Sequence, residues 1–232
     1  MRGAVLYGPR DIRFEERATP TIRESTDAVI RISATCVCGS DLWPYRGVNP
    51  ITQPTPMGHE YCGVVEEVGR DVTRVRPGQF VIGSFFASDN TCPNCHAGYQ
   101  SSCQHKQFVG DAQAPLLRVP LADGTLVPTR EVPSEDMIPS LLTLSDVMGT
   151  GWFAADAAGV KPGATVVVVG DGRRRTPWCP LGQPHGCRAH HRNEPPRVAP
   201  EACPRVRCDR DRSRAWGKSG GPNQRPDQRN RC

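Results

Sequence analysis

No stretch of this 232-residue chain approaches the roughly 20 consecutive apolar residues that a membrane-spanning helix needs, so no such helix is expected. The start, Met1-Arg-Gly-Ala-Val-Leu-Tyr7, lacks the long apolar core of a secretory signal, which makes a cytoplasmic protein the default expectation. Long helical periodicity is also missing up to about Leu144. In its place are short β-type runs broken by Gly and Pro: Ala4 to Tyr7, Asp27 to Ala34, Gly63 to Val68, Gln79 to Gly83 and Leu116 to Val119. Runs of this length and spacing predict a β-barrel or sandwich.

What is present in excess is cysteine, 11 in all. In a small secreted chain that number would suggest disulfides. Here the first six stand close to His, Asp and Glu, which in a reducing compartment favours a metal, with zinc the first candidate.

Charge divides the chain. Up to Gly172 there are 14 Lys and Arg against 19 Asp and Glu; from Arg173 onward there are 15 against 5. Between Ser134 and Gly159, Ile138, Leu141, Leu142, Val147, Phe153, Ala154 and Ala157 give a loose helical spacing, enough for one or two helices. Val166 to Val169, followed by Gly170-Asp171-Gly172, predicts a buried parallel strand entering a phosphate-binding turn. The last 60 residues hold 14 Arg, 9 Pro and 5 Cys but only five residues among Val, Leu, Ile, Met, Phe and Trp. Such a segment cannot bury enough apolar surface to offset chain entropy, so disorder is the expectation.

Three separated groups offer zinc-compatible side chains: Cys38-Gly39-Ser40-Asp41, Gly58-His59-Glu60, and Ser145-Asp146 ahead of Gly149-Thr150-Gly151. A catalytic zinc keeps three protein ligands and an open fourth position. Taken singly, each has an ordinary explanation: a small apolar Cys, a satisfied polar His, a capping Asp. Their order and surroundings argue otherwise.

From Met1 to Gly172 the chain resembles the medium-chain dehydrogenase/reductase superfamily, and within it the zinc-containing alcohol and formaldehyde dehydrogenases. The resemblance rests on Cys38-Gly-Ser-Asp41, on Gly58-His-Glu-Tyr-Cys-Gly-Val-Val-Glu-Glu-Val-Gly69, on Arg76-Pro-Gly78, and on the cysteine cluster described below. Asp146 ahead of Thr150-Gly151, and Val160-Lys-Pro-Gly163, complete it. It implies a mainly β fold: a GroES-like β-barrel catalytic domain over 1–144, a connecting helix and first strand of an incomplete Rossmann domain over 145–172, and a disordered basic tail over 173–232.

By position, the resemblance makes Cys38, His59 and Asp146 the catalytic zinc ligands. Glu60 becomes the neighbouring carboxylate that approaches the metal during ligand exchange, and Ser40 the hydroxyl that passes the alcohol proton outward. A zinc-bound hydroxyl is acidified toward neutrality, so an alcohol can become alkoxide and release hydride to NAD(P). Trp43 stands where many relatives place a histidine further along the proton path.

The second cluster is Asp89-Asn90-Thr91-Cys92-Pro93-Asn94-Cys95, continuing to Cys103. The resembling enzymes close a structural zinc with four cysteines; here Asp89 takes the first place, before Cys92, Cys95 and Cys103. Zinc accepts carboxylate oxygen, so the set is feasible. His96 and His105 lack the family spacing and read as surface residues. Cys36 and Cys62 read as packed in the barrel.

The cofactor motif breaks in the middle. Gly170 and Gly172 begin Gly-x-Gly-x-x-Gly, but Arg175 holds the third place. Read one nucleotide later, with free choice of synonymous codons, Arg173-Arg174-Arg175 can become Ala-Val-Gly and complete the fingerprint. The same shift turns the run from Glu201 into Lys-Leu-Ala-Arg-Glu-Phe-Gly-Ala and the run from Asn193 into Met-Ser-Arg-His. The chain after Gly172 therefore reads as out of frame. In the shifted reading an Arg lies where an acid would bind the NAD ribose, which favours NADP for the intact ancestor.

Function is accordingly expected to be zinc-dependent oxidation of a small alcohol, or reduction of an aldehyde, with NAD(P). Turnover should be impaired in this chain, and a noncatalytic zinc-binding remnant is the alternative. The family's homo-oligomers join largely through the cofactor domain, so a monomeric or aggregation-prone chain is expected. The tail's arginines alternate with prolines and match no nucleic-acid module, Trp178 and Trp216 notwithstanding, so no specific nucleic acid is expected. Cys179, Cys187, Cys203, Cys208 and Cys232 contain no CxxC pair, which argues against a zinc finger.

Overall fold

The computed structural model describes residues 1–161, 166 and 167. The tail from 173 to 232, its cysteines, Gly170, Gly172 and the position of the expected frame shift all lie outside the described residues.

Each β-type run anticipated above overlaps a strand. The chain opens with β1 (Arg2–Gly8) and β2 (Asp11–Glu16), an antiparallel pair joined by a tight turn, with β4 (Thr55–Pro56) on the other side of β1. The main sheet has five strands: β3 (Ala28–Cys36), β5 (Glu60–Val68), β6 (Phe80–Gly83), β9 (Leu116–Val119) and β10 (Leu126–Pro128). They lie in the order β10-β6-β5-β3-β9, antiparallel throughout. A two-stranded ribbon pairs β7 (Phe86–Ala87) with β8 (Gln107–Phe108).

Helices are short: α1 (Leu42–Tyr45), α2 (Pro93–His96), α3 (Ala122–Thr125), α4 (Ile138–Leu142) and the eleven-residue α5 (Val147–Ala157). The last two fall within the region of loose helical spacing.

The mainly β, GroES-like barrel expected from the sequence is corrected by this topology. The described residues form a mixed α/β unit with open sheets and modest helix content. In the main sheet β9 bonds only to β3 and β10 only to β6, so two edges remain. Closure requires the edge strands to meet in register. Here β10 spans three residues and ends at Pro128, while β9 is followed by Pro120, and a proline has no N–H to extend a ladder. Of the buried strand expected over Val166 to Val169, only Val166 and Val167 lie within the described residues. Val166 and Val167 carry no strand, and Val167 is 63% exposed. A parallel strand needs flanking strands to bond with, and among the described residues none lies beside it.

The core follows from period two along the central strand. Tyr61 and Val65 face one apolar cluster with Ile30, Val81, Leu117 and Val119. Cys62 and Val64 face the other side, packed with Phe80, Ile82 and Leu142 of α4. Gly63, between them, is required by close approach: a Cβ there would lie 2.1 Å from the Arg31 carbonyl oxygen, opposite the irregular register at Ile32/Ala34. The sheet is anchored at its far end by Asp27, fully buried, whose carboxylate accepts bonds from the Arg23 and Glu24 N–H groups and from Nε and Nη2 of Arg118.

Candidate metal centres

Three loops at one end of the main sheet bring the first group together. Cys38 follows β3 in extended conformation and opens a 3-10 turn over Gly39–Asp41. His59 immediately precedes β5 and Glu60 begins it. Gly58 sets the direction of His59, with φ +94° and with Gln113 N 2.7 Å from where a Cβ would stand. Asp146 lies between a 3-10 turn and α5, 108 residues from Cys38. Its neighbour Ser145 fastens this loop to the sheet: its hydroxyl donates to Gly83 O at 2.8 Å and accepts from Tyr61 N at 2.9 Å.

Cys38, His59, Glu60 and Asp146 are all buried, and each offers a ligand atom within 4.8 Å of the others. The Cys38 thiol donates to Asp146 Oδ2 at 3.4 Å, and His59 Nε2 lies 3.7 Å from the same oxygen. Ligands at zinc bond lengths and tetrahedral angles stand about 3.6 Å apart for sulfur and oxygen, and about 3.4 Å for nitrogen and oxygen. The spacing fits such an ion. Ser40 Oγ is 3.5 Å from His59 Nε2, on the rim of the same cluster.

Asp146 first, then Asp41, push the His59 pKa up to about 10 against the opposing effect of burial. A cation at the centre would do the reverse, since a ligating His must be neutral. On its other sides the His59 ring meets Phe85 and Phe108, both with centroids 5.9 Å away. Trp43, on α1, is 56% exposed.

Sequence reasoning missed three residues around this centre. Asp41 belongs to the quoted Cys38 motif yet received no role; its Oδ1 is 3.2 Å from His59 Nδ1 and its Oδ2 accepts from Cys38 N at 2.9 Å. The signal was available, because metal-ligating histidines commonly give their second N–H to a carboxylate. Thr150, one helical turn beyond Asp146, donates its hydroxyl to Asp146 Oδ1 at 2.9 Å. Cys36 is half-buried and its thiol hydrogen-bonds the Glu60 carboxylate, so it is not the purely packed residue expected. Cys62 is: it is buried, and desolvation pushes its thiol up to about 11.

The second group forms a lobe beside the β7–β8 ribbon. Cys92 precedes α2, Cys95 lies in it, and Cys103 follows a 3-10 turn at Gln100–Ser102. The sulfurs of Cys92 and Cys95 are 3.5 Å apart and those of Cys92 and Cys103 3.9 Å. These thiols form no disulfide, and their separations are near the roughly 3.8 Å edge of a zinc–sulfur tetrahedron. Asp89 completes a set whose ligand atoms all lie within 4.8 Å of one another.

Backbone N–H groups surround this set. Gln104 N points at Cys92 Sγ at 3.4 Å, His105 N at Cys103 Sγ at 3.3 Å, and Asp89 N at Cys103 Sγ at 3.5 Å. The Gln104 bond is the largest influence lowering the Cys92 thiol, while burial pushes Cys95 up to about 12. Asp89 Oδ1 accepts from Thr91 N and Cys92 N, and Oδ2 meets His105 Nδ1 at 2.5 Å. That His105 contact holds the Asp89 carboxyl well below the usual range and raises the imidazole. His96 is exposed, as expected.

Residues 24–141 match the family model described as the alcohol dehydrogenase GroES-like domain. The chain is 39% identical over 184 residues to the medium chain reductase/dehydrogenase ucsI of an Acremonium species, covering 74% of this chain and 62% of that protein. It is 37% identical over 183 residues to zinc-type alcohol dehydrogenase B of Aspergillus flavus, covering 74% and 42%. Among solved structures, alcohol dehydrogenase TADH from Thermus sp. ATN1 superposes with a TM-score of 0.73 at 28% identity, over 79% of this chain and 55% of that one. The chain thus spans about half the length of the relatives it matches. With a family match over its central part and two zinc-compatible clusters in its fold, the chain belongs to the alcohol dehydrogenase GroES-like domain family, in the zinc-type, medium-chain alcohol dehydrogenase superfamily.

Proposed function

We propose that residues 1–144, with Asp146 from the following 145–172 segment, are the zinc-binding catalytic part of an alcohol dehydrogenase-type oxidoreductase. Cys38, His59 and Asp146 serve as the catalytic zinc ligands, Glu60 as the exchanging carboxylate, and Asp89, Cys92, Cys95 and Cys103 as the structural set. The observation that carries this is the convergence of Cys38, His59, Glu60 and Asp146, from three distant segments, within 4.8 Å. When bound, zinc supplies Lewis acidity toward a substrate oxygen. Asp41 orients the His59 ring, Thr150 orients Asp146, and Ser40 is placed to accept a proton from an alcohol hydroxyl beside His59. Beyond Ser40, Trp43 offers no imidazole to carry that proton further.

The substrate class is a small alcohol or its aldehyde, and the hydride acceptor NAD(P). For this chain we propose little turnover. Gly170 and Gly172 start a dinucleotide turn that Arg175 interrupts, and the frame shift after Gly172 accounts for both the interruption and the basic composition of 173–232. NADP is the acceptor the shifted reading favours. The broken motif also supports a second reading, a noncatalytic zinc-binding remnant.

Purified chain should hold two zinc ions by elemental analysis, one of them lost in C38S, and should show negligible NAD(P) binding by titration. Absence of zinc would overturn the metal assignment. Zinc-dependent alcohol oxidation with NAD(P) would overturn the proposed impairment, and a gene sequence that cannot encode the shifted residues would overturn the frame shift.

A further inference from the structure

We infer that His105 is a positioning residue of the lobe metal site, holding the Asp89 carboxylate in place as the fourth ligand. This rests on the proposal that Asp89, Cys92, Cys95 and Cys103 bind zinc. The three sulfurs are fixed by the turns that carry them and by backbone N–H groups. The carboxylate is a different kind of ligand. Its oxygen is harder than a thiolate, and it sits on a side chain whose plane can rotate about the Cβ–Cγ bond, alternating which oxygen is offered.

Two sets of contacts stop that rotation. Thr91 N and Cys92 N hold Oδ1 from inside the turn, at 2.9 and 3.1 Å. His105 Nδ1 holds Oδ2 from outside, at 2.5 Å. His105 reaches across from the strand-side end of the lobe, two residues past Cys103, so the same short segment that supplies one sulfur also fixes the carboxylate. Its own backbone N–H bonds to Cys103 Sγ at 3.3 Å, tying both ends of the residue to the site. The imidazole itself is not among the four groups whose ligand atoms converge. Its side chain is 68% exposed, so it contributes little packing and its removal should leave the fold intact.

Cobalt(II) binding to the full chain separates the possibilities, because three thiolates at one ion give an intense near-ultraviolet band that a single-thiolate site does not. Wild type, H105A and H105N are compared, with retention of that band measured against a competing chelator and far-ultraviolet circular dichroism as the folding control. In H105A the lobe affinity should fall about 10- to 100-fold, the usual effect of losing an outer partner. H105N, whose amide nitrogen can occupy the Nδ1 position, should recover most of it. A wild-type chain without the three-thiolate band overturns the lobe metal reading itself. A band present in all three proteins with the same chelator sensitivity overturns only the role of His105, as does equal loss in H105A and H105N.

Discussion

Asp41 Oδ1 lies 3.2 Å from His59 Nδ1, while the other ring nitrogen, Nε2, faces Asp146. The carboxylate thereby selects which nitrogen is offered to the centre, and through its second oxygen it also fixes the Cys38 backbone. Replacing it with the neutral amide in D41N should weaken zinc binding at Cys38, His59 and Asp146 by about 10- to 100-fold. Zinc retained per chain, measured against a graded chelator, checks this; the lobe zinc should be unaffected.

Gly58 holds φ +94° directly before His59, with no room for a Cβ beside Gln113 N. G58A should cost about 1–3 kcal/mol of backbone strain, with further loss if the Gln113 segment must move. The consequence should be local as well as global. Denaturant unfolding should show the lost stability, and zinc content should fall from two ions to one.

Asp27 is wholly buried and bonded to Nε and Nη2 of Arg118. In D27A the half-buried guanidinium and two backbone N–H groups lose their acceptor. Removing one partner of a buried pair typically costs about 3–5 kcal/mol, so urea unfolding should shift by roughly 3 kcal/mol, given that Arg118 keeps some access to water. An unchanged midpoint would contradict the anchoring role.

Asp123 sets a pH dependence. Burial alone would raise its pKa, but bonds from Arg74 N, Thr73 Oγ1 and Thr73 N outweigh that and hold it below its ordinary 3.8. A carboxyl lowered in the folded state adds stability above its unfolded value and loses it as pH falls through the folded one. Wild type should therefore exceed D123N at pH 6, with the difference shrinking below about pH 4. A difference that stays constant from pH 6 to pH 3 would refute the assignment.

Much of the local structure was legible in the sequence because it depends on short-range periodicity. The runs at Ala4, Asp27, Gly63, Gln79 and Leu116 alternate or cluster apolar residues at strand spacing, and each overlaps a strand, Asp27 and Gln79 standing one residue before theirs. Whether those strands close on themselves is not a local property. It depends on whether β9 meets β10, two edges close in the chain but separated across the sheet by β6, β5 and β3, and these do not pair. Of the Val166 run only Val166 and Val167 are described; neither is in a strand and Val167 is exposed, because four valines can be buried only where other strands flank them.

By itself the sequence determined which side chains could hold a metal. Residue types and their order set out two zinc-compatible groups, Cys38, His59, Glu60 and Asp146 in one and Asp89, Cys92, Cys95 and Cys103 in the other. Only the tertiary structure decided how those side chains are held. Asp41 against His59, Thr150 against Asp146, Cys36 against Glu60 and His105 against Asp89 are contacts between side chains whose directions are set by the backbone's path. Hydrogen bonds act over about 3 Å and at defined angles, so a residue's role as a partner exists only once the fold has placed both ends.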